Sequence, residues 1–90
     1  MNIAIVGATG NVGRRLIEVL EKKNFPIDEL FLIASSKSVG KKINFKGKEH
    51  SIHDLENFDF SSVKIAFFSA GSSVAEKWAP IAAKKTIVID

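Results

Sequence analysis

Ile3-Ala4-Ile5-Val6-Gly7-Ala8-Thr9-Gly10-Asn11-Val12-Gly13-Arg14-Arg15-Leu16 joins an apolar run to a glycine turn and then to a helical pattern. The run before Gly7 is apolar at every position, as in a parallel strand buried on both faces. Beyond Gly13 the apolar residues recur every three or four positions, which is the period of a helix. A helix N-terminus presents unpaired N–H donors and a partial positive charge, so a pyrophosphate is the natural guest of such a turn. Gly7 permits a sharp exit from the strand, Gly10 lets backbone approach a phosphate, and Gly13 lets the helix lie close to the sheet. Three glycines alone are common in turns. Their position between strand and helix is what points to a dinucleotide.

Working outward, residues 2–6 read as a first strand and residues 11–23 as a helix, with Val12, Leu16, Val19 and Leu20 as the inward stripe, Ile17 beside it, and Arg15, Glu18 and Lys22 toward water. Asn24 and Pro26 end the helix. Residues 29–34 form a second strand, completing a strand–helix–strand crossover. Residues 43–46 and 49–53 alternate across Gly47 and read as a hairpin whose second strand can join the main sheet. A turn or short helix over 57–62 leads to a buried strand at 63–68. A helix then starts at Ser72 or Ser73, with one of these serines as cap and Val74, Ala75, Trp78, Ile81 and Ala82 on its apolar face. Pro80 should kink or shorten it. Residues 86–90 make a last strand. The fold expected is α/β: a Rossmann-like, doubly wound, mostly parallel sheet, truncated, with one face or edge poorly covered.

Ninety residues, 46% of them hydrophobic, suit one small domain or part of a larger one. No apolar run approaches the ~20 residues needed to span a bilayer. The absence of cysteine removes disulfides, thiolate metal sites and a thiol nucleophile together, and a cytoplasmic location fits. A net charge of +3 raises the question of nucleic acid. The lysines and arginines are scattered in pairs, however, as on solvated helix ends and turn tips, so neither nucleic acid nor membrane is expected as a partner.

The second strand decides which nucleotide. In dinucleotide folds an acid about 20 residues beyond the glycine turn holds the ribose 2′-hydroxyl of NAD. Here that region is Ile33-Ala34-Ser35-Ser36-Lys37-Ser38, with no carboxylate; Asp28 and Glu29 stand at the strand's other end. Lys37 among hydroxyls, with Lys41 as support, suits a 2′-phosphate, although a solvated lysine in a polar loop is the plainer alternative. Ser69-Ala70-Gly71-Ser72-Ser73 is a second small, hydroxyl-rich turn before a helix, and it should converge with the first glycine turn at the carboxyl ends of the strands. His50 and His53, three apart in a strand, fall on opposite faces and make no metal pair. Asp54, Glu56 and Asp59 near a turn do not suggest paired acid–base work.

Residues 7–13, then Ala34-Ser35-Ser36-Lys37-Ser38-Val39-Gly40-Lys41, then Phe68-Ser69-Ala70-Gly71-Ser72-Ser73 resemble, in this order, the amino-terminal part of aspartate-semialdehyde dehydrogenase; Trp78-Ala79-Pro80 and Ile87-Val88-Ile89-Asp90 fit the same pattern. The resemblance implies an NADP-dependent enzyme of lysine, threonine and methionine synthesis. It reduces β-aspartyl phosphate to aspartate β-semialdehyde through a cysteine acyl-enzyme, with a histidine as acid/base. It implies Gly7, Thr9, Gly10, Asn11 and Val12 around the pyrophosphate, Ser35, Lys37 and Ser38 at the 2′-phosphate, and Ala70 and Gly71 near the nicotinamide half. Where the family commonly has arginine, this chain has Lys37, whose ammonium lacks a bidentate fork. The family's cysteine, histidine and substrate-binding arginines fall beyond the matching region, so residues 1–90 are expected to be a partial NADP-binding domain without catalytic or metal-binding residues. The catalytic and dimerisation domain would be absent, and the small-molecule substrate would belong to a full-length homodimer or homotetramer. A stand-alone nucleotide-sensing domain and the start of a short-chain reductase or epimerase-like protein are the alternatives; the latter's Tyr-x-x-x-Lys pair is missing.

Overall fold

The computed structural model describes residues 1–69 and 71–89. Its elements run β1 (Asn2–Val6), α1 (Asn11–Lys22), β2 (Glu29–Ala34), β3 (Lys42–Phe45), β4 (Lys48–Asp54), β5 (Ile65–Phe68), α2 (Ser72–Ala83) and β6 (Ile87–Ile89). Single 3-10 turns at Ser36–Ser38, Leu55–Asn57 and Phe60–Ser62 fill the connections. The six strands form one sheet in the order β3-β4-β2-β1-β5-β6. Only the β3–β4 pair is antiparallel. The doubly wound α/β expectation is borne out.

From β1 the chain winds one way through α1 to β2, and from β5 it winds the other way through α2 to β6. Right-handed crossovers running in opposite directions put their helices on opposite faces. Side chains of β1 accordingly alternate: Ile3 and Ile5 pack with Ile17 and Leu20 of α1, while Ala4 and Val6 pack with Ala75 and Ala82 of α2. Ile3, Ala4 and Ile5 are wholly buried, each isoleucine contributing about 1.5–3 kcal/mol by leaving water. Gly13 sets the height of α1. A Cβ there would lie 2.3 Å from the Gly7 carbonyl oxygen and 2.9 Å from the Ala8 Cα, so only glycine allows this approach.

Local departures have local causes. The inward line of α1 is Gly13, Ile17 and Leu20, with Leu16 half-buried, whereas Val12 and Val19 are exposed. Periodicity finds an apolar arc but not which edge of it meets the sheet, and the glycine contact rotates the arc toward Gly13. Asn24 takes a left-handed conformation (φ 51°) just after α1, the turn that its residue type favours. Helix α2 runs through Pro80 to Ala83 rather than stopping short. Proline there forfeits one bond, to the Glu76 carbonyl, near the end of the helix. Gly71, not a serine, occupies the cap position of α2, and no side chain caps it. Ala70 and Asp90 lie outside the described residues. The hairpin turns at Lys46 (φ 53°) and Gly47 (φ 78°), and β4 joins the main sheet beside β2, pairing Ala34 with Asp54.

A cradle at the carboxyl ends of the strands

The direction of winding reverses between β1 and β5, and there the carboxyl ends of two neighbouring parallel strands open a crevice. In open α/β sheets this is where ligands bind. The first turn is held from both sides. Gly7 leaves β1 with φ 86°, and the amides of Gly7 and Ala8 both donate to the Ile33 carbonyl at the end of β2, at 2.8 and 3.2 Å. From the other side Ser69 donates twice to the Val6 carbonyl, through its amide at 2.9 Å and its hydroxyl at 2.8 Å; the hydroxyl also reaches the Gly7 carbonyl at 3.4 Å. Gly10 closes the turn by donating to the Gly7 carbonyl at 3.1 Å.

Helix α1 starts directly beyond. Gly10 sits at its cap with extended backbone and no side-chain hydrogen bond, so the N–H groups of the first turn face outward without an intrahelical acceptor. A Cβ on Gly10 would stand at ordinary contact distance, 3.5 Å from the Gly7 carbonyl. The fold does not require glycine at this position; close approach of a ligand to the backbone would. Around Gly71 there is open space within 4 Å, and α2 begins there, also without a side-chain cap.

The loop after β2 leans onto the same turn. The hydroxyls of Thr9 and Ser38 lie 3.5 Å apart. Ser35 takes the cap position of the 3-10 turn at Ser36–Ser38, and Lys37 projects from it, exposed and in no ion pair among the described residues. Of the cofactor residues expected from the sequence, Gly7, Thr9, Gly10, Asn11, Val12, Ser35, Lys37 and Ser38 therefore lie on two loops in contact, and Gly71 opens the helix that follows β5. Ala70 is outside the described residues. The side chain of Val12 points away to solvent, which leaves its backbone N–H as the group available to the cradle.

Spacing along the chain missed Ser69 as the brace of the first turn and Asp54 as the carboxylate nearest the end of β2. Asp54 faces Ala34 across the sheet, a position that could mimic the ribose-binding acid. Its oxygens are already engaged, accepting from the Glu56 amide at 3.2 Å and the Asn57 side-chain amide at 3.1 Å. Asp59 is likewise a turn cap. It accepts from the Ser61 hydroxyl at 2.7 Å and the Ser61 amide at 3.0 Å, and these bonds, aided by Lys85, hold its carboxyl below the ordinary value. Neither acid is arranged for proton transfer. His50 touches Phe45, on the α1 side of the sheet, and His53 touches Phe31 and Phe58, on the other; the two are not brought together. No cluster of three or more His, Cys, Asp or Glu exists among the described residues.

Residues 2–90 match the family described as semialdehyde dehydrogenase, NAD binding domain. The chain belongs to that family. An aspartate-semialdehyde dehydrogenase 2 of Vibrio cholerae is 52% identical over 88 residues, which cover 98% of this chain and 26% of the relative. The aspartate-semialdehyde dehydrogenase of Aquifex aeolicus is 51% identical over 88 residues, 97% of this chain and 26% of its own length. A crystal structure of aspartate-semialdehyde dehydrogenase II from Vibrio cholerae, complexed with ASA, superimposes with a TM-score of 0.96 at 53% identity, covering 99% of this chain and 29% of that one. This semialdehyde dehydrogenase domain thus spans about a quarter of the length of its relatives and corresponds to their NAD(P)-binding amino-terminal part. No helix among the described residues is long and apolar enough to cross a membrane.

Proposed function

We propose that this chain is the NADP-binding portion of an aspartate-semialdehyde dehydrogenase. The observation that carries the proposal is the meeting of three turns over β1 and β5. The uncapped N-terminus of α1, the serine–lysine loop after β2 and the Gly71 start of α2 open onto one crevice. The donor set fits a dinucleotide. Gly7 shapes the turn, Gly10 lets the pyrophosphate come close to the backbone, and Thr9, Asn11 and Val12 hold it through backbone N–H groups in the field of the helix. Ser35, Lys37 and Ser38 hold the adenosine 2′-phosphate, and Ala70 and Gly71 flank the nicotinamide half. When bound, the cofactor supplies a hydride. The residues of this chain bind and orient it, and the braces from Ile33 and Ser69 form the turn before the ligand arrives.

The longer enzyme then carries out NADPH-dependent reductive dephosphorylation of β-aspartyl phosphate to aspartate β-semialdehyde, as a cytoplasmic homodimer or homotetramer. Its catalytic cysteine and histidine lie outside these residues, so residues 1–90 alone have no such activity. NADP is preferred to NAD on two grounds. The loop after β2 carries no carboxylate, and the acid beside it, Asp54, is occupied by its own turn.

Calorimetric titration of the chain with NADPH and NADH tests this reading. NADPH should bind the wild-type chain more tightly. An exposed charge-assisted contact contributes at the low end of about 1.5–3 kcal/mol, so Lys37→Ala should weaken NADPH about tenfold and leave NADH unchanged. Equal affinities in the wild type, or unchanged NADPH affinity in the variant, overturn the NADP assignment.

A further inference from the structure

The loop that carries Lys37 has a carboxylate as its neighbour. At the carboxyl end of β2, β4 runs alongside in parallel, with Leu32 opposite Ile52, Ile33 opposite His53 and Ala34 opposite Asp54. Ala34 and Ile52 are both buried in the cluster on the α1 side of the sheet. Side chains two apart along a strand share a face, so Asp54 leaves the sheet on that side as well. The loop between β2 and β3 is tied to the same strand. Its Ser36–Ser38 turn packs against β4, and the Ile52 amide donates to the Lys41 carbonyl at 3.2 Å. The strand that ends in Asp54 therefore borders the segment of Ser35, Lys37 and Ser38.

Neighbouring strands stand about 4.8 Å apart, a gap that one aspartate side chain and one hydrogen bond can cross. From the end of β4 a free carboxylate could thus serve the position just beyond β2, where an acid accepts from the ribose hydroxyls of NAD. It would repel a 2′-phosphate placed there, or neutralise the lysine that attracts one.

Asp54 does neither, because both of its oxygens are held. One accepts from the Glu56 amide at 3.2 Å and the other from the Asn57 side-chain amide at 3.1 Å. Two donors on two oxygens fix the plane of a carboxylate, whereas a single donor leaves it free to swing. The Glu56 donor is backbone and comes with the turn. The Asn57 donor is a side chain, and a substitution can remove it. Neither Asp54 nor Lys37 takes part in an ion pair among the described residues, so the ammonium stays available although an acid stands near.

We propose that Asn57 is a positioning residue for nucleotide choice: by fixing Asp54 within the Leu55–Asn57 turn, it keeps that carboxylate out of the adenosine ribose site and leaves Lys37 to a 2′-phosphate. The proposal rests on the reading of the cradle as an NADP site. It adds that the preference depends on a hydrogen bond as well as on the lack of an acid in the loop after β2.

The test is calorimetric titration with NADPH and with NADH of three chains: wild type, Asn57→Ala, and Asn57→Ala combined with Asp54→Asn. The quantity read is the ratio of the two dissociation constants. A general loosening of the cradle weakens both nucleotides and leaves that ratio alone. Loss of one exposed hydrogen bond changes the held fraction of Asp54 about three- to tenfold, so Asn57→Ala should lower the preference for NADPH by that factor. Asp54→Asn keeps an oxygen for the Glu56 amide and removes the charge, so in the combined variant the preference should return to at least that of the wild type. Asn57 is exposed, and the melting temperatures of the three chains should agree closely. A wild-type chain that prefers NADPH beside an Asn57→Ala chain with the same ratio overturns the proposal and leaves the NADP reading standing. A shifted ratio that Asp54→Asn does not restore overturns it too, since the effect then bypasses Asp54. A wild-type chain that binds both nucleotides equally, or neither, removes the NADP reading and this proposal together.

Discussion

Replacing Gly13 by alanine adds one methyl group where α1 meets the first turn. The new Cβ would sit 2.3 Å from the Gly7 carbonyl oxygen, with the Ala8 Cα at 2.9 Å and the Gly7 carbonyl carbon at 3.0 Å. Real Cβ atoms essentially never come closer than 3.0 Å, so helix and turn must separate by some 0.7 Å. All three obstacles are backbone, and the turn is pinned to Ile33 on one side and Ser69 on the other. The strain therefore falls at the upper end of the overpacking range of about 1–3 kcal/mol. Alanine's better helix propensity offsets about 1 kcal/mol. The net loss is about 2 kcal/mol, equivalent to a drop of about 8–16 °C in melting temperature for a chain of this size. Thermal melts followed by circular dichroism, with urea titration at fixed temperature, give the number. A variant within about 0.5 kcal/mol of wild type, the range of an ordinary surface change, refutes the close approach of helix and turn. A gain in stability would refute it more strongly.

Gly10→Ala is the converse case. Its Cβ meets nothing closer than 3.5 Å, so the melting temperature should move little while nucleotide affinity falls at least tenfold; a stable variant with normal affinity removes the phosphate from this position. Ser69→Ala deletes the hydroxyl bond to Val6 and should cost about 1 kcal/mol in urea unfolding, with faster amide exchange at Gly7 and Ala8; unchanged exchange there refutes the bracing role. Ser61→Ala removes the hydroxyl bond, the largest of the causes that depress the Asp59 pKa, and keeps the backbone amide bond and Lys85, so the NMR titration midpoint of Asp59 should rise part of the way toward the ordinary carboxylate value. Because the folded value is the lower one, the stabilisation exists above the ordinary carboxylate range and disappears as pH falls through the depressed midpoint; the variant should lose part of that acid-side dependence, and an unmoved midpoint refutes the assignment.

Much of the site was legible because its geometry is carried by backbone and by residue type. Gly7 with φ 86° and Gly13 against the turn have no substitute, so their spacing declared the strand–turn–helix before any contact was known. The strands at Asn2–Val6 and Glu29–Ala34 were equally plain, because each is an uninterrupted apolar run after its first residue. Relations between distant segments were not legible. Nothing in the serine-rich stretch after β5 says that Ser69 braces the turn while Gly71 caps the helix. Nor does the pattern of α1 say that Val12 and Val19 lie exposed while Ile17 and Leu20 are buried. An apolar residue facing solvent and one facing the core look alike in a sequence.

The brace on the first turn also sets the order in which the cradle can come into being. Residues 7–13 emerge early in synthesis, but their shape depends on Ile33 from one side and Ser69 from the other. β1, central in the sheet, has no paired edge until β2 and β5 arrive. A nascent chain that has passed the glycine turn therefore carries its phosphate-binding residues without a phosphate-binding site. Nucleotide cannot stabilise the growing polypeptide until about three quarters of these residues have left the ribosome, and until then the central strand of the domain has neither its sheet partners nor its ligand.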